Sequence, residues 1–141
     1  MQGRLYQVTV NRRQKGYVNL GKAGNENRSL GMAFEQQAAE FLKEKDYQIL
    51  TANFRSRYGE IDLVARQGKY LVFVEVKYRK DIRGGHPLEA VNLSKQRKIC
   101  RTAEYYCLRY GYGEETPCRF DVIGILGTEM IHVEHAFPFR R

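Results

Sequence analysis

Two short runs of apolar residues, separated by a polar break, stand at the centre of the hydrophobic pattern. The first run spans residues 57–65 and the second spans residues 70–79. Both are rich in β-branched and aromatic residues, which is typical of strands. The break contains Gly68, the residue type that tight hairpin turns favour. The pattern therefore predicts a β-hairpin whose loop is either Gln67 and Gly68 alone or all four residues of the break.

An even number of loop residues places two carboxylates on the same face of this hairpin. Because side chains alternate along a strand, either loop puts Asp62 opposite Phe73 and makes Asp62 and Glu75 diagonal neighbours. Their backbones are then roughly 7–8 Å apart, close enough to share one ion, whereas an odd loop would separate them. The shared face holds Glu60, Asp62, Phe73, Glu75 and Lys77. The opposite face is expected to be the core side, and it holds Ile61, Leu63, Val72, Val74 and Val76.

These two carboxylates and Lys77 suit metal-assisted hydrolysis. Like charges in a poorly solvated place raise each other's pKa and destabilise the fold unless a cation joins them. Mg²⁺ prefers carboxylate oxygens and water as ligands. Lys77 beside such an ion would orient a water molecule, or stabilise negative charge that develops as a phosphodiester is cleaved. An ordinary hairpin with charges on its solvated face explains the same pattern equally well.

Helical spacing of apolar residues recurs in two other stretches. The first helix is predicted over residues 32–45, with Ser29 as its N-cap. The second is predicted over about 94–110, with Asn92 or Ser94 as its N-cap. Basic residues on the outer faces of this second helix are expected to be mostly solvated; they are Arg97, Lys98 and Arg101.

Three further strands are predicted outside the hairpin. They span residues 47–54, 119–126 and 130–134. The first of them is expected to place Tyr47, Ile49 and Thr51 on one face. Asp121 lies between apolar neighbours in the second, where a structural pairing with Arg119 or with a helix is expected.

Several polar residues near the hairpin are candidates for a binding role. Glu35 borders the apolar stripe of the first helix, from where it can reach over a sheet, although a plain surface position is the commoner case. Arg55, Arg57 and Tyr58 arrive just before Glu60, and cations interleaved with an aromatic ring suit a nucleic-acid backbone, as they also suit a solvated loop. Lys95 falls on the inward face at the start of the second helix, which fits a nearby phosphate or acidic site.

Composition and charge narrow the class of protein. A chain of 141 residues favours one domain, and a formal net charge of +8 favours a polyanionic partner, either nucleic acid or an anionic membrane surface. Residues 1–29 contain six Lys or Arg and one Glu, so they are interpreted as a flexible basic arm in which only residues 5–10 hint at a strand, with the domain spanning 30–141. The sequence shows no membrane span and no signal peptide, and its three cysteines indicate free thiols, so a cytoplasmic protein is expected.

Four segments together resemble the YraN-like family of uncharacterised bacterial proteins. They are residues 59–65 (GEIDLVA), 73–79 (FVEVKYR), 119–122 (RFDV) and 136–137 (AF). The resemblance covers about residues 31–137 and does not include the basic arm. That family usually has Gly at the end of the first helix, where this chain has Asp46.

The YraN-like family is in turn similar to the restriction-endonuclease-like PD-(D/E)xK superfamily, which includes Holliday-junction resolvases. This similarity implies an α/β fold with a restriction-endonuclease-like core, in which helices flank a mixed central sheet. It also implies that Glu35, Asp62 and Glu75 hold Mg²⁺ or Mn²⁺ and that Lys77 activates the attacking water. Residues implied or expected to contact nucleic acid are Arg55, Arg57, Tyr58, Arg79, Lys95 and Gln96.

Two functional hypotheses follow from the residues and the resemblance together. The first is a metal-dependent endonuclease that hydrolyses DNA. It leaves open whether the enzyme selects a DNA structure, whether it is a homodimer, and whether RNA is also cleaved. The second is a non-catalytic nucleic-acid-binding module that acts in DNA repair or recombination.

Overall fold

The predicted hairpin is present as two adjacent strands in the middle of a mixed sheet. A computed structural model describes residues 4–9 and 23–141, with side chains described from residue 30 onward. In these residues the strands are β1 (Arg4–Thr9), β2 (Gln48–Ser56), β3 (Gly59–Gln67), β4 (Tyr70–Arg79), β5 (Cys118–Leu126) and β6 (Glu129–Glu134). The helices are α1 (Ala23–Glu44) and α2 (Leu93–Arg109), and two 3₁₀ turns span Ile82–Gly84 and Pro87–Ala90.

Strand pairing makes this an α/β fold with a single parallel junction among the described strands. The sheet order is β1-β6-β5-β4-β3-β2. β4 and β5 pair in parallel, while the other neighbouring strands are antiparallel. A parallel pair requires a crossover connection, and α2 with the two 3₁₀ turns provides it. The predicted α/β class with a mixed central sheet flanked by helices is confirmed.

Apolar clusters cover both faces of the sheet, so the prediction of a single core side was wrong. One cluster joins α1 to the sheet through Ala38 and Leu42, which are fully buried. The other joins α2 to the sheet through Ile99 and Tyr106. Ile61 packs in the α2-side cluster and Leu63 in the α1-side cluster, so these two residues do not share a face as predicted.

The hairpin loop is Gly68 and Lys69, one residue later than predicted. Gly68 has φ +55°, a conformation that glycine adopts without steric cost, and Gln67 pairs with Tyr70 directly before and after the turn. The loop length is even, as predicted, but the cross-strand register moves by two positions. Asp62 therefore does not lie opposite Phe73, whose partner is Val64.

A β-bulge in β2 overturns the predicted face of this strand. The pairing of β2 with β3 shifts register between Ile49 and Thr51. Ile49 consequently packs on the α1 side, whereas the Thr51 hydroxyl lies 2.8 Å from the Tyr106 hydroxyl on α2. One extra residue in a strand turns all later side chains to the other face.

The helices agree with prediction at three of their four ends. α2 starts after Asn92, whose side chain accepts a hydrogen bond from the Lys95 backbone N–H at 2.9 Å, and α1 ends one residue before the predicted limit. α1, however, begins at Ala23, so Ser29 is not its N-cap. The hint of a strand near the start of the chain is confirmed by β1, which pairs with β6. Of the arm predicted to be flexible over residues 1–29, residues 4–9 form β1 and residues 23–29 belong to α1, while residues 1–3 and 10–22 lie outside the described part of the chain.

Two smaller features of the described residues concern the cysteines and the helices. The three cysteines are free thiols, and Cys100 is buried. Among the described helices, none combines the length and apolar character needed to cross a lipid bilayer.

Replacement of Asp46 by glycine is expected to stabilise the fold. Asp46 has φ +65° at the end of α1, where the Tyr47 and Asp46 backbone N–H groups bond to the Leu42 and Lys43 carbonyls at 3.0 and 3.1 Å. This is the Schellman arrangement, in which glycine avoids the steric cost of a Cβ atom. Chemical denaturation should show Asp46→Gly to be more stable than wild type by about 0.5–1 kcal/mol.

Asp46→Ala is the matched control for this substitution. Alanine keeps the Cβ atom and tolerates the left-handed conformation less well than Asp, so this variant should be less stable than wild type. An equal stability of the Gly and Ala variants would contradict the explanation.

Candidate active site

The pairing between β3 and β4 ends at the two predicted carboxylates. The last paired residues are Leu63 and Val74, so Asp62 and Glu75 are the first residues beyond the paired segment, one on each strand, and the Asp62 charge acts on Glu75. At this point the Val76 backbone N–H donates a hydrogen bond of 2.7 Å to Asp62 Oδ2. The Asp62 side chain thus accepts a hydrogen bond from β4 just where backbone pairing between the two strands stops.

Glu75 is a buried acid held by two ammonium groups. Its side chain is only 4 % exposed. Lys77 Nζ lies 3.2 Å and Lys95 Nζ 3.4 Å from the same oxygen, Glu75 Oε1. Lys77 comes from β4 itself, whereas Lys95 comes from the first turn of α2. The first turn of the crossover helix is thereby tied to the carboxylate at the middle of the sheet.

Glu35 completes the acidic group from the α1 side. It is half-buried, and its carboxyl group lies close enough to that of Asp62 for each to shift the pKa of the other. The structure therefore brings Glu35, Asp62, Glu75 and Lys77 to one place, as the sequence predicted for the catalytic residues.

Burial and mutual repulsion raise the pKa of all three carboxyl groups. For Asp62, burial is the largest cause and raises the pKa to about 6, against a hydrogen bond from Val76. For Glu75, burial and then the Asp62 charge raise the pKa to about 7, although both lysines oppose the rise. The pKa of Glu35 is also raised, chiefly by burial. Such shifts indicate a crowded acidic site that lacks enough positive charge.

The three carboxyl groups are of the type that binds a hard divalent cation, but their side chains do not point to one common position. Among residues 4–9 and 23–141, no three His, Cys, Asp or Glu side chains are placed to hold one metal ion. Glu75 faces the two lysines, and Asp62 bonds to Val76. The chemistry of the donors, three carboxylates with raised pKa values, is nevertheless that which Mg²⁺ or Mn²⁺ relieves. The metal site remains a prediction.

The residues expected to contact nucleic acid are not all free to do so. Gln96 donates to the Val91 carbonyl and accepts from Arg140 Nε at 2.9 Å, so it fastens the last residues of the chain to α2. Arg55 pairs with Glu60 at 3.5 Å on the surface. Arg57 donates a hydrogen bond of 2.6 Å to the hydroxyl of the adjacent tyrosine, Tyr58.

The other two expected contacts differ in exposure. Arg79 is exposed at the end of β4. Lys95 lies in the acidic site, as its inward position on α2 suggested, and bonds there to Glu75. Contact with nucleic acid stays a prediction for all six residues.

Sequence reasoning missed a second buried polar cluster on β5 and β6. Asp121 pairs with Arg119 at 2.9 Å, as expected, and also with His132 Nε2 at 2.8 Å. His132 is fully buried, although its extended segment gave no sign of an inward role. The alternation of Met130 and His132 along β6 was the available signal, because both belong to one face of the strand.

Stability should depend on pH through Asp62. The folded pKa of about 6 exceeds the ordinary value of 3.8, so folding favours the neutral acid. The cost of charging it is absent below about pH 4 and complete above about pH 6. Urea denaturation in EDTA should therefore show the free energy of unfolding of Asp62→Asn rising relative to wild type between pH 4 and 7. The expected relative gain is about 2 kcal/mol.

Glu114→Gln serves as the control for this pH series, because Glu114 is exposed in the turn after α2. Its stability should stay parallel to that of wild type. If the free energies of unfolding of Asp62→Asn and wild type differed by a constant amount across the series, the explanation that folding raises the pKa of Asp62 would be contradicted.

Comparisons with known proteins agree with the resemblance found in the sequence. The model of the uncharacterised protein family UPF0102 matches residues 34–125. A UPF0102 protein of Lachnoclostridium phytofermentans is 51% identical over 107 residues, covering 76% of this chain and 91% of its own. A UPF0102 protein of Chromohalobacter salexigens is 41% identical over 109 residues, covering 77% and 87% respectively. This protein therefore belongs to the UPF0102, or YraN-like, family.

Proposed function

We propose that this protein is a metal-dependent nuclease that hydrolyses phosphodiester bonds in DNA. One observation carries the proposal: a buried Glu75 next to Asp62, both with raised pKa values and with two ammonium groups in contact. Closely spaced buried carboxyl groups reduce the stability of a fold. A cation-dependent reaction on a phosphate is a functional reason for a protein to keep them. The superfamily resemblance supports the same residues.

Glu35, Asp62 and Glu75 are the residues that would hold Mg²⁺ or Mn²⁺. When bound, the ion lowers the pKa of a water molecule and offsets charge on the phosphate. Because the three carboxyl groups come from α1, β3 and β4, their positions depend on how these elements pack. The raised pKa values mean that each carboxyl group gives up its proton readily only when positive charge is near.

Two lysines provide the positive charge of the protein itself. Lys77 and Lys95 both reach Glu75 Oε1, and both side chains are partly exposed at 29% and 37%. Each ammonium can therefore contact Glu75 and a bound phosphate in turn. Lys77 would orient the attacking water or stabilise the negative charge of the transition state, and Lys95 would hold a neighbouring phosphate oxygen.

A second candidate function is a non-catalytic nucleic-acid-binding module that acts in DNA repair or recombination. The contact of Glu75 with two lysines favours it, because these contacts satisfy the buried charge without a metal ion. Against it stands the Glu35–Asp62 pair, which a binding module has no need to bury. Recognition of RNA, selectivity for a DNA structure and a homodimeric state are compatible with either candidate.

Substitution of the acidic site should abolish cleavage while preserving binding. Branched, flapped, single-stranded and linear DNA, and RNA, are incubated with Mg²⁺ or Mn²⁺ or with EDTA. Wild type should cut only with metal, and Asp62→Asn and Glu75→Gln should lose on the order of 100-fold or more in rate. Glu60→Gln is the matched control, because Glu60 is an exposed acid of β3, and it should cut like wild type.

Three outcomes of this assay separate the candidates. Loss of cutting in the two site variants alone supports the nuclease. Binding without cutting in every protein supports the binding module. Equal cutting by wild type and both site variants would place the reaction elsewhere in the chain or in a contaminant.

Divalent ions should raise the melting temperature through the same residues. A ligand at ten times its Kd that binds only the folded state stabilises it by about 1.4 kcal/mol, which corresponds to about 4 °C for a domain of this size. Scanning calorimetry with Mg²⁺ or Mn²⁺ should show this rise for wild type and Glu60→Gln. Asp62→Asn should show none, and a rise of equal size in Asp62→Asn would exclude the proposed ligands.

A further inference from the structure

A second surface, away from the acidic side chains, has the chemistry of a nucleic-acid groove. It has a volume of about 460 Å³ and lies between the β2–β3 turn, α2 and residues 139–141. We call it the basic groove. Its cations are Arg57, Arg97, Lys98, Arg101, Arg140 and Arg141.

The basic groove carries a large excess of positive charge. Six cations line it with a single acid, Glu104. Arg141 lies 3.8 Å from Glu104, and both side chains are largely exposed. Among the described residues, the other five cations have no carboxylate within ion-pair distance. Neighbouring uncompensated cations attract a polyanion and release its counterions on binding.

Fixed contacts shape this groove. The Arg140 backbone N–H donates to Cys100 Sγ at 3.3 Å, and its Nε donates to Gln96 at 2.9 Å, so the final residues dock on α2. On the other wall, the β2–β3 turn approaches α2 closely. A Cβ atom at Gly59, directly after this turn, would lie only 3.1 Å from Thr102 Oγ1 on α2. The cations are therefore held on packed elements that keep their spacing.

Two aromatic rings line the same groove among the cations. Phe139 is 47% exposed, and the Arg141 guanidinium lies 5.9 Å from its ring centre. Tyr58 has the Arg57 guanidinium 4.8 Å from its ring centre and packs against Tyr105. Phe139 is thus the exposed ring and Tyr58 a partly exposed one. Accessible rings beside cations stack on unpaired bases, whereas the bases of a duplex are already stacked on each other.

The basic groove adjoins the candidate active site through α2. Lys98 in the groove is three residues after Lys95, and residues three apart are neighbours on a helix surface. The ammonium of Lys95 is 3.4 Å from Glu75. A strand lying in the groove can thus continue along α2 to the acidic residues.

We propose that the basic groove holds an unpaired strand of nucleic acid and leads it to the acidic site. The phosphates contact the arginines and Lys98, and bases stack on Tyr58 and Phe139. The role of this strand as a substrate rests on the proposed function. Binding of the strand in the groove requires neither a metal ion nor cleavage. It favours substrates with flaps, gaps or single-stranded ends over blunt duplexes.

The test is fluorescence anisotropy with labelled oligo-dT, oligo-U and a blunt DNA hairpin, in EDTA at several salt concentrations. Wild type and Asp62→Asn should bind oligo-dT equally and more tightly than the hairpin. Arg97→Gln/Arg101→Gln should weaken oligo-dT binding at least tenfold and lower the slope of log Kd against log salt by about 1.4, for two lost phosphate contacts. The oligo-U arm shows whether DNA or RNA is preferred.

Arg66→Gln/Lys69→Gln is the control with equal loss of charge, because both residues are exposed at the β3–β4 turn. It should keep at least half of the affinity and the wild-type slope. Phe139→Leu should weaken oligo-dT binding about tenfold without changing the slope, since stacking carries no salt dependence of its own. Melting curves check that each variant is folded.

The outcomes separate this inference from the nuclease proposal. Groove-dependent binding without any cutting supports the groove and rejects the nuclease. Equal losses in the groove and control variants overturn the groove, whether or not the protein cuts. Equal affinity for hairpin and oligo-dT, with no effect of Phe139→Leu, overturns the preference for an unpaired strand.

Discussion

The bond from the Val76 N–H to Asp62 is the constraint around which the site is organised. A carboxylate accepts the hydrogen bond just where the backbone pairing of β3 with β4 ends. The backbone donor therefore remains satisfied although pairing stops, and buried N–H groups must be satisfied. The same bond fixes Asp62 beside Glu75 and within reach of Glu35 on α1. Loss of the Asp62 side chain would leave the Val76 N–H without its acceptor. It would also leave Glu35 and Glu75 without the carboxyl group that lies beside them.

A comparison of Asp62 with Asp121 shows what distinguishes a site from a structural pair. Burial raises the pKa of Asp121 too, but hydrogen bonds from His132 and Arg119 outweigh it, and the pKa ends below its ordinary value. Asp121 is therefore a charge that its own partners satisfy. Asp62 receives one backbone hydrogen bond and lies near other acids, so its pKa stays raised. Asp121 is the more buried of the two, yet only Asp62 keeps a raised pKa, so the difference lies in compensation by partners, as expected of a functional group.

The sequence predicted the hairpin and the meeting of its acids because both depend on alternation along short strands. It did not predict the register, because Gly68 can be the first or the second residue of a two-residue loop, and only tertiary pairing selects between them. The bulge near Leu50 and the start of α1 at Ala23 were missed for a related reason. No particular residue type marks the β-bulge in the sequence. The Gly and Asn residues after Ala23 have low helix propensity, so the pattern did not indicate a helix there.

The basic groove was beyond prediction because its walls come from distant parts of the chain. Arg57, Arg97 and Arg140 gather only when the β2–β3 turn and the last residues pack on α2. In the sequence, the cations of α2 resembled an ordinary solvated face, and Lys95 was distinguished from them only by its inward position. In the fold, this one helix directs Lys95 to Glu75 and its other cations to the groove. The proposed contacts with a phosphate chain and the assembly of the acidic site thus depend on the same helix, so a shift of α2 would alter both together.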